Sequence, residues 1–136
     1  MPQFACVADT HIVLWMLQNS PRLSPTAKLT LQQAETTSEP VYISAMSLVE
    51  IRYLIEKGRF VENDYLVCLQ MLHDPTRMLT LAPLDLPVAD AIAHIPRTVV
   101  PEMPDRIIAA TAFALGLPLI SADTEIRKLP NLNVIW

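Results

Sequence analysis

The chain reads as an α/β protein, a three-layer α/β/α sandwich around a central parallel sheet of four to five strands. Short apolar runs at residues 4–8, 41–44, 78–81, 119–121 and 134–136 alternate with segments of helical period, joined by short links. Runs of that length and character suit strands buried on both faces, and alternation of this kind implies a parallel sheet covered by helices. With 136 residues, 51% of them hydrophobic and 18% charged, the chain suits one domain over residues 1–136 with a substantial core.

The first run, residues 4–8, gives way to Asp9-Thr10 and a helix over about 11–17, closed by Asn19-Ser20-Pro21. Ser24-Pro25 places a cap and then a proline at the first helical position, opening a helix to about Ala34. After the strand at 41–44, Ser47 begins a helix with Ile51, Leu54 and Ile55 on one face, ended by Gly58. Asn63 or Asp64 opens the next, which Asp74-Pro75 stops. Beyond the strand at 78–81, Asp85-Leu86-Pro87 leads a short helix to about Ile95, and three prolines mark residues 96–104 as a loop. Asp105 starts a helix with Ile108, Thr111, Ala112 and Leu115 on one side and Gly116 as its stop. A strand at 119–121, a short helix at 123–128 and a strand at 134–136 complete the chain.

Several function classes are excluded by what is missing. Only two glycines occur, Gly58 and Gly116, so there is no phosphate-cradling glycine loop. Cys6 and Cys68 are too isolated for a disulfide framework or a zinc site and read as buried thiols. The longest apolar stretch, residues 107–115, falls well short of the roughly 18 residues of a membrane span, and Met1-Pro2-Gln3-Phe4 lacks the basic start of a signal peptide. The protein therefore reads as cytoplasmic, with no membrane partner.

Four acids stand at junctions between strand-like and helix-like segments: Asp9, Glu50, Asp105 and Asp123. Each alone has a structural explanation. Asp9, Asp105 and Asp123 lie where a carboxylate satisfies helix N-terminal amides, and Ser47-Leu48-Val49-Glu50 matches a capping box. Capping does not, however, ask acids of separate helices to converge. A parallel sheet brings the ends of its strands to one edge, where such sheets bind ligands. Carboxylates gathered there repel one another unless cations lie between them, and oxygen-only ligands suit Mg²⁺ or Mn²⁺. The net charge of −4 is adverse for meeting phosphate, yet without these four acids the chain is neutral, and bound divalent ions would reverse the local sign.

The order of these motifs resembles the PIN-domain nucleases, most closely the VapC ribonuclease toxins of bacterial toxin–antitoxin pairs. The residues that carry the likeness are Asp9-Thr10-His11, Ser47-Leu48-Val49-Glu50, the run Asp105-Arg106-Ile107-Ile108-Ala109-Ala110-Thr111-Ala112, and Asp123 after the fourth strand. Many such relatives carry His-x-Asp-Pro-x-Asp-Arg before the third acid. Here the stretch is Val100-Pro101-Glu102-Met103-Pro104-Asp105-Arg106, with Glu102 read as a solvated loop acid. The resemblance implies a Mg²⁺-dependent or Mn²⁺-dependent endoribonuclease with RNA as substrate, a homodimeric assembly and a cognate antitoxin that places a basic side chain near the acids. Asp9 and Asp105 are the first choices as direct metal ligands, with Glu50 and Asp123 completing the catalytic shell. Thr10 and Ser121 are candidates to bond the acids or a phosphate, and Arg106 to face either RNA or Glu102. The alternatives are a catalytically silent scaffold that binds RNA or protein, and a housekeeping RNA-processing nuclease. A phosphatase or signalling receiver fits poorly, because Asp9-Thr10-His11 lacks a second aspartate and no acidic pair sits near the first strand.

Overall fold

The computed structural model describes residues 4–136; the reading of Met1, Pro2 and Gln3 lies outside them. Five strands, β1 (Cys6–Ala8), β2 (Val41–Ser44), β3 (Leu79–Ala82), β4 (Leu119–Ile120) and β5 (Val134–Ile135), form one sheet in the order β3-β2-β1-β4-β5. Every pairing is parallel. The helices are α1 (Thr10–Leu17), α2 (Pro25–Thr36), α3 (Ala45–Glu56), α4 (Glu62–His73), α5 (Leu86–Ala91) and α6 (Met103–Leu115). The three-layer α/β/α sandwich is thus the fold, with five strands in its sheet.

Alternation along the strands divides the core in two. Cys6, Ala8, Val41, Ile43 and Ile120 face α1, α2, α3 and α4, joining Ile12, Leu31, Ile51 and Cys68 in one apolar layer. Val7, Tyr42 and Leu119 face the other way, against Val88 of α5 and Ile108, Ala109 and Ala112 of α6. The alanines keep α6 thin where it lies on β1 and β2. Burial pushes the Cys6 thiol up to about 12 and that of Cys68 to about 11, so both behave as small apolar side chains. No helix among the described residues is long and apolar enough to cross a membrane.

Several boundaries differ from the sequence reading. Helix α4 starts at Glu62 after Val61, ahead of Asn63 and Asp64. The cap of α3 is Ser44, whose side chain accepts from the Met46 amide, so Ser47 lies inside the helix and the capping box does not form. Helix α6 starts at Met103, two residues before Asp105, because Pro104 is compatible with a first helical turn. After Asp123 there is only a 3-10 turn, Ile126–Lys128, rather than a helix over 123–128. Gly116 does end α6 in the left-handed region, at φ 66, a conformation in which glycine escapes the Cβ penalty.

Candidate functional site

The strand order reverses beside β1: the chain runs outward through β2 and β3, then returns to lay β4 and β5 on the other side. A crevice opens at such a switch point, beyond the carboxyl ends of the strands. Asp9 follows Ala8 of β1 and Ser121 follows Ile120 of its neighbour β4, and Ala8 and Ile120 are register partners. The Asp9 amide donates to the Ile120 carbonyl at 3.0 Å, so the first acid leaves the sheet at the level of Ser121.

Asp9 is buried, with both carboxylate oxygens occupied. Oδ1 accepts from the Thr10 amide at 2.7 Å and Oδ2 from the Ser121 hydroxyl at 2.7 Å. Ser121 also accepts from the Asp123 amide at 3.1 Å, tying the first acid to the turn that carries the fourth. Burial raises the Asp9 pKa, opposed by the bonds from Ser121 and Thr10.

Glu50 belongs to a second chain of bonds. The Thr10 hydroxyl donates to Glu50 Oε1 at 2.7 Å and lies 2.8 Å from the Ser47 hydroxyl. Thr10 has one hydroxyl proton, so with Glu50 ionised that proton goes to the carboxylate and Ser47 donates to Thr10. Ser47, one turn before Glu50, is therefore a buried support of the site rather than a cap. Burial raises the Glu50 pKa, Thr10 opposes it, and repulsion from Asp9 adds to it.

Asp105 enters from the first turn of α6, half-buried. Its pKa is pushed up to about 7, first by burial and then by the charges of Asp9, Asp123, Glu50 and Glu102. That repulsion means that the acids sense one another across the crevice. Asp123 spends Oδ1 on the Glu125 and Ile126 amides, at 2.8 and 2.9 Å, the local capping role its position suggests. It nonetheless lines the same crevice of about 460 Å³ as Asp9, Thr10, Glu50 and Asp105. The four predicted acids are thus brought to one cavity.

The other candidates divide. Thr10 lines the crevice and holds two acids, whereas Ser121 is fully buried behind Asp9. Arg106 points its guanidinium away: Nε and Nη2 donate to the carbonyls of Ile95 and Ile92, each at 3.0 Å. Glu102 is exposed in front of α6, as a solvated acid would be. The crevice also holds His11 and Trp15, to which the sequence reading gave no part in the site. Their spacing of four on a helix following an acid is the signal that could have found them.

Among the described residues the ion pair is Arg52 with Glu62, at 3.2 Å, so no lysine or arginine neutralises the four acids. Nor do any three His, Cys, Asp or Glu side chains among them already close on a common metal-binding point. The arrangement is four carboxylates lining one open crevice. Its donor chemistry fits a hard divalent cation, and closure on one requires the side chains to draw together.

A model of the PIN domain matches residues 6–132. The chain belongs to the PIN-domain family. Among curated proteins it is similar to the ribonuclease VapC22 of Mycobacterium tuberculosis, at 27% identity over 131 residues, covering 94% of this chain and 95% of that one. Among solved structures, its fold is similar to a chain of DNA-bound VapBC from Salmonella typhimurium, with a TM-score of 0.71, 18% identity and 97% of each chain covered. A chain of a toxin–antitoxin complex from Klebsiella pneumoniae aligns with a TM-score of 0.64, 19% identity, and 93% and 94% of the two chains covered. The likeness to VapC-type toxins read from the acid motifs therefore holds over nearly the whole PIN domain.

Proposed function

We propose that this PIN domain is a metal-dependent endoribonuclease, the toxin of a toxin–antitoxin pair. The observation that carries the reading is the set of four carboxylates on one crevice, unpaired with any lysine or arginine among the described residues. Mg²⁺ or Mn²⁺ held by Asp9 and Asp105, with Glu50 and Asp123 completing the shell, would supply the Lewis acidity for hydrolysing a phosphodiester. Asp9, locked by Thr10 and Ser121, provides fixed oxygens. Glu50, with Oε1 held by Thr10, keeps its other oxygen for orienting the attacking water and taking its proton. RNA is the substrate class suggested by the ribonuclease relative, and single strands or loops are the form whose backbone can enter the crevice.

An antitoxin fits the same site by charge. A partner presenting one basic side chain to the four acids would relieve their repulsion as a cation does. The toxin–antitoxin neighbour supports this partnership for the present chain.

The reading is tested by incubating purified protein with RNA in Mg²⁺ and in chelator, alongside Asp9→Asn. The wild type should cut only with metal, and the variant should lose on the order of 100-fold or more in rate. Cleavage that persists unchanged in Asp9→Asn would sink the site. For the toxin role, expression should arrest growth, and co-expression of a small neighbouring reading frame with a basic tail should relieve the arrest.

A further inference from the structure

The crevice has an aromatic wall that the acid chemistry does not use. His11 and Trp15 stand one turn apart on α1, and both line the cavity with the acids. Their ring centroids are 5.8 Å apart at 49°, and Trp15 meets Trp136 at 5.8 Å and 46°. Trp15 and Trp136 pack on the core beside α1, whereas His11 is exposed. The three rings form a ladder anchored beyond the edge strand β5 and ending at the crevice. His11, together with Thr10 and Glu50, also lines the adjoining apolar groove of Met46, Tyr53 and Met103, so its ring stands where the two cavities meet.

We propose that His11, backed by Trp15, is a nucleobase-stacking subsite, holding the base of a nucleotide beside the phosphate that the acids address. The proposal rests on the ribonuclease reading of the crevice and adds a way of gripping the substrate that metal-held phosphate alone does not provide. A volume of about 460 Å³ exceeds what a phosphate group needs and falls in the range of small-ligand sites. A base offers an uncharged π face, which a ring at the rim can hold without the cation that phosphate requires. Trp15 and Trp136 limit how far the His11 ring can shift, so little order is lost on stacking. The base must leave its helical neighbours to reach this face, which selects single-stranded or loop RNA over duplex. A purely structural role, in which His11 and Trp15 strengthen α1 as an i, i+4 pair, would not tie the ring to any nucleotide.

The test uses the full chain and a labelled single-stranded RNA of mixed sequence, with a series in which one nucleotide at a time is made abasic. Affinity is measured in Ca²⁺ and cleavage in Mg²⁺, for wild type, His11→Ala and His11→Phe. In the wild type one abasic position should weaken binding about tenfold or more. His11→Ala should weaken intact RNA by a similar factor and no longer distinguish that position, and His11→Phe should restore the distinction. His11 is exposed, so its truncation leaves the core untouched, and melting curves of the variants verify this. Equal affinity of the wild type for the whole series, or discrimination retained in His11→Ala, overturns the subsite. RNA bound with the expected discrimination but left whole overturns the nuclease reading and leaves the subsite standing. Cleavage without discrimination does the reverse, and RNA neither bound nor cut overturns both.

Discussion

At the scale of single residues, the site is organised by hydroxyls as much as by acids. Thr10 is the hinge: its amide holds Asp9, and its hydroxyl relays Ser47 to Glu50. Replacing Thr10 by valine keeps the shape and the amide but removes the hydroxyl, leaving Glu50 without its donor and Ser47 without its acceptor. Supports of this kind typically carry 10-fold to 100-fold in activity or metal affinity. The rate of RNA cleavage at saturating substrate should therefore fall by about that factor in Thr10→Val, with Thr10→Ser near wild type. Equal rates for all three would mean that the relay is idle. Asp9 and Asp123 were legible in the sequence because each follows the end of an apolar strand, and Asp105 because it opens a helical pattern. Glu50 lies inside α3 and was legible only through Ser47-Leu48-Val49-Glu50. The role of Ser47 was not, because two serines, Ser44 and Ser47, compete for the cap, and the choice depends on where β2 ends. Once Ser44 takes the cap, Ser47 is turned inward toward Thr10.

At the scale of elements, the segment between α5 and α6 is held by Arg106. Its guanidinium reaches the carbonyls of Ile92 and Ile95, joining α6 to the turn after α5 and closing the base of the proline-rich loop. Hydrogen bonds to a charged group are each worth roughly 1.5–3 kcal/mol, less where solvent competes. Arg106→Met, which keeps an apolar stem, should lower unfolding stability by about 2 kcal/mol in urea titration. RNA affinity should keep its salt dependence, because a lost phosphate contact would reduce the logarithmic slope by about one. A reduced slope with unchanged stability would return Arg106 to the RNA surface. Nothing local in Asp105-Arg106 foretells this partner, since the carbonyls lie 11 and 14 residues earlier in the chain. The strands and most helices were legible for the opposite reason: apolar runs, Ser24-Pro25 and Gly116 act within a few residues of themselves. The 3-10 turn after Asp123 lies between these cases, since its capping bonds are local but its short length is set by the return into β5.

At the scale of the whole molecule, the fold concentrates negative charge at one edge of the sheet and makes its stability depend on pH and on cations. Burial and mutual repulsion raise the proton affinity of Asp105 to about 7, and burial raises that of Asp9 and Glu50. In the unfolded chain these carboxyls titrate near 4. Between those values the folded state binds more protons than the unfolded one, so stability falls as pH rises from about 4 toward 7. Above that window the full cost of the ionised cluster is present; below it, protonation removes the cost. The half-exposed position of Asp105 moderates the effect through solvent screening. Divalent cations bind the ionised site of the folded state, which stabilises it by mass action. In chelator the melting temperature of the wild type should therefore drop by several degrees across that window, and Asp105→Asn should flatten the drop. Mg²⁺ or Mn²⁺ should raise the melting temperature strongly at pH 8 and little at pH 5, with the gain lost in Asp105→Asn. A melting temperature that ignores pH in chelator would mean that the four carboxylates do not share a field. One that responds to pH but not to divalent ions would leave the acids to a basic protein partner rather than to metal.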